Sequence, residues 1–279
     1  MGLLNKAGKV AVALGVSGLA ILAGIKMSDD RYVDGIWQYL EVQPKGERVF
    51  TEEMVADLPD PAKRFFLHSI RPGMRIPSKF HWGYSGELKP GKELPWLSLK
   101  AEQILVKDVG FMWKARAGKG PLQVTAADHY LEGEGRMRIS LFGLIPIINA
   151  TDADISRSAL GRLVVENISI PGAFLPSDNV QIEGIDQDRF QVTVSLQGET
   201  IPITITVDEE GRAKEFTMQR WGDQTDDGSY RYIPYGGTIS GEQTFEGYTI
   251  PSKLAIGWWY GTERYEEAIR FEVDWAEFE

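Results

Sequence analysis

From residue 77 to the C-terminus, apolar and polar side chains alternate with a period of two, and this constrains the fold more than any other feature of the chain. Phe80, Trp82 and Tyr84 interleave with His81, Gly83 and Ser85; Phe111, Trp113 and Ala115 interleave with Met112, Lys114 and Arg116. Phe190, Val192, Val194 and Leu196 oppose Gln191, Thr193 and Ser195, and near the end Ile269, Phe271, Val273 and Trp275 oppose Arg270, Glu272 and Asp274. Successive side chains of a strand point to opposite faces, so each segment reads as a strand with one buried and one wet face. Residues 208–211 (Asp-Glu-Glu-Gly) join two such segments as a hairpin. Neither a fixed-period repeat nor a Gly/Ser linker divides the body, which argues for one antiparallel domain rather than a propeller or a pair of domains.

An antiparallel sheet must cover its apolar face by closing, by stacking on a second sheet, or by curling around helices. Three short helices are expected to do so. One, at 51–58, starts at Thr51 and is ended by Pro59; one, at 61–70, is opened by Asp60-Pro61 and carries Phe65, Phe66 and Ile70. The third lies within residues 128–171. The expected fold is therefore mainly β: a curved antiparallel sheet or half-barrel wrapping short helices, with an N-terminal transmembrane helix.

That last expectation comes from residues 10–25, an unbroken run of apolar and small residues preceded by Lys6 and Lys9 and followed by Lys26. As a helix it spans roughly 24 Å, somewhat short of a ~30 Å hydrocarbon core, and flanking lysines can snorkel to close the gap. An uncleaved anchor is the preferred reading over a cleaved secretory signal. The basic flank puts the N-terminus in the cytoplasm and the body on the extracytoplasmic side of a single-pass protein. The domain plan is then anchor or signal at 1–26, juxtamembrane connector at 27–56, and one β-rich extracytoplasmic domain at 57–279. Residues 29–50 read either as an interfacial segment or as a helix packed on the domain.

Composition removes several functions. There is no cysteine, which excludes disulfides, thiolate catalysis and Cys-ligated zinc. The formal charge is −10, and the first 26 residues carry only lysines, so the body is more acidic still. Such a surface repels phosphate backbones and makes nucleic acid a poor partner. The chain lacks a nucleophile elbow, a phosphate-binding glycine loop and a zinc-protease helix motif. Its histidines, His68, His81 and His129, are isolated from one another, so no metal or cofactor is expected. On a strand, Asp128 and His129 face opposite ways and cannot form a dyad.

The least regular stretch, residues 128–171, holds the charges of interest. Glu166 follows Leu163-Val164-Val165 and precedes Ile168 and Ile170. A carboxylate in such a run needs a partner, and Arg162, four residues earlier, is the first choice, with Arg136, Arg138 and Arg220 as others. Residues 144–148 (Leu-Ile-Pro-Ile-Ile) form an apolar tip, read as a buried plug, with an exposed loop at a membrane, partner or ligand mouth as the alternative.

The body resembles a family of uncharacterised bacterial and archaeal proteins, a domain-of-unknown-function family. The matching pattern is Leu58-Pro59-x-Pro61 with Arg64, Phe111-x-Trp113-x-Ala115, Asp128-x-Tyr130-x-x-Gly133-x-Gly135-x-Met137 and Leu141-x-Gly143. It continues with Ser158-x-Leu160-x-Arg162 leading to Glu166, then Pro171, Asp186, Gly211, Arg220 and Ile250-Pro251. The resemblance implies a shape similar to the curved half-barrels of periplasmic lipoprotein carriers, and it implies no activity. Together these readings point away from an enzyme, without deciding the question, and toward a membrane-anchored protein that binds a lipid or other apolar ligand outside the cytoplasm. A structural or assembly subunit docking on a membrane protein complex is the alternative, and a hydrolase or isomerase using Glu166 or His129 the second. The candidate ligand-binding residues are Trp113, Tyr130, Arg162, Glu166 and Arg220.

Overall fold

The computed structural model describes residues 2–120 and 123–279, with side chains from residue 21 onward within that span. Among the described residues, thirteen strands form one antiparallel sheet. The first six are β1 (Lys79–Leu88), β2 (Leu97–Val106), β3 (Gly110–Ala117), β4 (Val124–Leu131), β5 (Glu134–Leu141) and β6 (Ile145–Ala150). The other seven are β7 (Val180–Gly184), β8 (Arg189–Leu196), β9 (Glu199–Val207), β10 (Ala213–Gly222), β11 (Arg231–Phe245), β12 (Tyr248–Trp258) and β13 (Glu266–Phe278). Their order is β6-β5-β4-β3-β2-β1-β13-β12-β11-β10-β9-β8-β7. The sheet is thus two meanders joined at a central seam, where β1 pairs with β13, Phe80 opposite Phe278 and Ser85 opposite Glu272. β6 and β7 stay at the two edges, so the sheet is a curled half-barrel and not a closed one.

The alternation sets which residues face inward. Phe80, Trp82, Tyr84, Leu99, Phe111, Phe190, Ile203 and Val273 all belong to one buried cluster inside the curl. Two helices fill it: α2 (Asp60–Ser69) and α3 (Ala153–Glu166). Pro61 opens α2, where a missing N–H costs nothing. Arg64 ties α2 to two turns, donating to the carbonyls of Gln187 at 2.7 Å and Glu209 at 3.4 Å. In the β9–β10 turn, Gly211 has a φ of +85°, and a Cβ there would come 2.3 Å from the Arg64 carbonyl oxygen, so only glycine serves both needs. The helix expected at 51–58 shrinks to one 3-10 turn over Glu52–Val55. Thr51 makes no side-chain cap there, and Pro59 stops the chain before a second turn can form.

α3 begins at the cap Asp152, whose carboxylate accepts from the Ile155 N–H at 2.9 Å. It crosses β5 at Gly135, where a Cβ would sit 2.8 Å from the Ser156 Cα, so the helix can lie this close only over glycine.

The N-terminal part is one helix, α1 (Gly2–Glu41), which runs through the expected anchor and the first half of the expected connector. Its last turns pack on the outer face of the sheet: Leu40 is fully buried against Ile104, Val106 and Met112, with Val33, Ile36 and Trp37 beside them. Among the described residues no helix is long and apolar enough to cross a membrane. The run at 10–25 falls mostly on residues whose side chains lie outside those described.

Residues 144–148 differ from the reading of a buried plug. They run into the edge strand β6, where Ile145, Ile147 and Ile148 are exposed, as is Phe142 before them. The physical reason is Pro146: lacking an N–H, it cannot sit in a central strand, and an edge position leaves these side chains without a covering layer.

Candidate functional site

Strands β2, β3 and β4 present Gln103, Trp113 and Asp128 to the inside of the curl, where α3 brings Arg162 and Glu166. Arg162 is shared among three acceptors. Its Nη1 lies 2.5 Å from Asp128, its Nε 2.7 Å from Glu166, and its Nη2 3.1 Å from the Gln103 side-chain oxygen. Gln103, fully buried, closes the ring by donating to the second Glu166 oxygen at 2.5 Å. The guanidinium also lies over Phe111 and Trp113, 4.7 and 4.9 Å from the ring centres. Trp113 donates its indole N–H to the Tyr84 hydroxyl at 2.6 Å.

The electrostatics follow from burial. Burial works against the Arg162 charge, but Glu166 and Asp128 outweigh it and hold its pKa above the ordinary value. The Asp128 carboxyl is raised, burial overcoming the pull of Arg162 and Arg220. Burial likewise raises the Tyr84 hydroxyl.

Beside this cluster lies a cavity of about 190 Å³. Aromatic and aliphatic side chains line it, among them Trp82, Tyr84, Tyr235, Trp258, Ile269 and Phe271. Arg220 reaches in from β10. Its guanidinium sits over Tyr235 and Trp258, 4.7 and 5.1 Å from the ring centres. Its Nε donates to the Ser158 carbonyl at 3.3 Å, and among the described residues no carboxylate approaches within ion-pairing distance. A second, wider cleft of about 900 Å³ lies between α1 and the outer face, lined by Lys26, Asp30, Lys114 and Arg138. It is open and of mixed charge, whereas the inner cavity is largely apolar with few polar groups, the character of small-molecule sites.

Four of the five residues picked from sequence, Trp113, Arg162, Glu166 and Arg220, surround this one cavity. Tyr130 does not line it and is buried in the core on β4. Gln103, Tyr84, Tyr235 and Trp258 were not singled out. Gln103 could have been found: it is the polar residue at an inward position between Ala101 and Leu105. Tyr235 could not, because the Tyr-Gly-Gly of β11 breaks the alternation. Glu166 and His129 lie on opposite faces. His129 points outward and shares a 3.1 Å hydrogen bond with Tyr32 of α1. The histidines are likewise apart: His68 is paired with Glu242 and His81 with Glu102. Among the described residues no group of histidine and acidic side chains could hold a metal.

A family model matches residues 48–270, a span that includes every residue around the cavity except Phe271. The chain belongs to DUF6544, a family of unknown function. The resemblance read from the motifs is thereby borne out, and the pattern of this DUF6544 chain now has physical content: Arg162, Asp128 and Glu166 form the cluster, and Gly135 admits the helix. No curated protein matches the chain. Among solved structures, it is similar to a putative outer membrane lipoprotein-sorting protein domain from Vibrio parahaemolyticus. That match has 10% identity, covers 82% of this chain and 92% of that one, and has a TM-score of 0.40. A LolA superfamily protein from Nitrosomonas europaea matches at 7% identity over 78% and 92%, TM-score 0.40. A DUF1329 family protein from Desulfovibrio piger matches at 10% over 79% and 91%, TM-score 0.41.

Proposed function

We propose that this DUF6544 protein is a membrane-anchored, non-catalytic protein that binds a lipid or other apolar ligand on the extracytoplasmic side. The observation that carries the reading is the cavity enclosed by α3 and strands β1, β3 and β10–β13: a space of about 190 Å³ walled by Trp82, Tyr235, Trp258 and Phe271. A packed interior leaves few voids larger than a water molecule, and a largely apolar space of this size has room for an apolar guest. The apolar run at 10–25 and its lysines support the anchor and the orientation.

Native mass spectrometry of the full chain, released from membranes in mild detergent, tests the binding. A lipid-sized adduct that is lost in Ile269→Trp, which fills the cavity, is the expected result. A protein free of adducts that also takes up no labelled lipid after delipidation would sink the reading. Fusing reporters of cytoplasmic and extracytoplasmic location to the C-terminus tests the orientation independently; activity of the extracytoplasmic reporter is expected.

The exposed Phe142, Ile145, Ile147 and Ile148 favour a second reading, a subunit docked on a membrane protein complex through this edge. One partner recovered reproducibly by cross-linking in membranes, and lost in Ile147→Asp, would favour it over the first.

A further inference from the structure

Arg220 is the unusual group of the cavity. Arg162, its neighbour in the cluster, has its Nε and both terminal nitrogens engaged by Glu166, Asp128 and Gln103. Arg220 spends only its Nε, on the Ser158 carbonyl, and its two terminal nitrogens have no acceptor among the described residues. Arg220 is half-buried and its terminal nitrogens are open to the cavity, and two flanking aromatic rings stabilise the charge without using the N–H groups. Trp82, on the same cavity wall, also keeps a buried indole N–H without a partner. The wall is therefore largely apolar, with donors on Arg220 and Trp82 that no acceptor among the described residues engages. A guanidinium presents paired N–H groups whose spacing fits the two oxygens of a carboxylate.

Size narrows the ligand further. A cavity of about 150 Å³ accommodates benzene, so about 190 Å³ holds one ring or one chain segment and not the paired chains of a phospholipid.

We propose that the cavity takes a single-chain amphiphile with a carboxylate head, its tail among Trp82, Tyr235, Trp258 and Phe271 and its head on the terminal nitrogens of Arg220. This rests on the apolar-ligand reading and specifies its ligand class. A two-chain lipid would have to leave one chain outside, and an alkyl ammonium would meet Arg220 with like charge.

The test uses two photoreactive probes that share a diazirine chain of about seven carbons, matched to the cavity, one ending in a carboxylate and the other in an alcohol. The full chain is held in nanodiscs of uncharged lipid, irradiated, and mapped by peptide mass spectrometry. Label on residues 1–26 reports how much of each probe enters the bilayer and serves as the internal reference. Relative to it, the acid should label the peptides of β11–β13 about tenfold more than the alcohol, and Arg220→Met should bring the acid down to the alcohol's level. Equal labelling by acid and alcohol in the native protein overturns the head assignment while leaving an apolar ligand in place. Labelling of these strands by neither probe overturns both. Should Arg220→Met fail to fold, Arg220→Gln and the acid–alcohol ratio of the native protein still decide the question.

Discussion

Helices α1 and α3 lie on opposite faces of the same strands, and each is fixed there by contacts between arginines and aspartates. Outside, Asp29 of α1 bridges Arg136 and Arg138 of β5, at 2.9 and 2.5 Å. Inside, Arg162 of α3 bridges Asp128 of β4 and Glu166 of its own helix. The polarity is reversed: one helix brings an acid to two bases, the other a base to two acids. The difference that matters is what lies next to each. The outer contact continues into a small apolar seam under Leu40 and a wet, charged cleft. The inner one is closed by Gln103, backed by Phe111 and Trp113, and opens on a cavity lined with rings. Similar chemistry therefore docks a helix on one face and borders a ligand-sized space on the other.

The sharpest way to break the comparison is to remove the central charge of each cluster. Arg162→Met leaves Asp128 and Glu166 facing each other in the core, and breaking a buried pair costs about 3–5 kcal/mol. Urea unfolding should show that loss for the whole domain, and a shift under ~1 kcal/mol would mean that the carboxylates find water or other partners. Asp29→Ala should cost less, about 1–3 kcal/mol, as two arginines lose a common acceptor. Its signature differs in kind. Amide exchange should accelerate in residues 21–41 while the strands keep their protection, because an outer helix can detach without opening the sheet.

Acid should separate the two faces more gently. Burial first, and then the neighbouring Arg136 charge, lower the His129 pKa from 6.5 to about 4. The unfolded chain then holds this proton more tightly than the folded one, so stability from this group is complete above pH 6.5 and declines as pH falls toward 4. His129→Gln keeps a partner for Tyr32 and cannot titrate, so it should flatten the pH dependence of α1 docking in that window, followed by amide exchange. An unchanged slope would assign the acid sensitivity elsewhere. The smallest effect belongs to Tyr39, whose hydroxyl donates to Glu132 at the exposed rim of the outer seam. Tyr39→Phe should leave the melting temperature and the docking unmoved, since exposed hydrogen bonds trade with water.

The sheet was legible in the sequence because each strand writes its two faces in alternate letters. Phe111, Trp113 and Ala115 predict an inward face wherever the strand ends up. Arg162 and Glu166 were legible for a related reason: a carboxylate between apolar residues needs a cation, and four residues is one helical turn. What stayed hidden depends on contacts between distant segments. Nothing local says that Arg220 of β10 would slide between Tyr235 and Trp258, because those rings become neighbours only when β11 and β12 pair. Nor does the apolar content of residues 144–148 reveal that they end on an edge; strand order decides that, and order is a property of the whole chain.

The central seam has a consequence for how the chain is made. Ser85 donates to Asp274, 189 positions later, across the pairing that unites the two meanders. Every other strand pair in the order joins neighbours in sequence and can form as soon as its hairpin exists. This one must wait for the largest loop closure in the molecule. β13 (Glu266–Phe278) follows the other twelve strands in chain order, so until it is made both β1 and β12 carry unpaired edges. Until that closure is made, each meander offers an open template for the wrong strand.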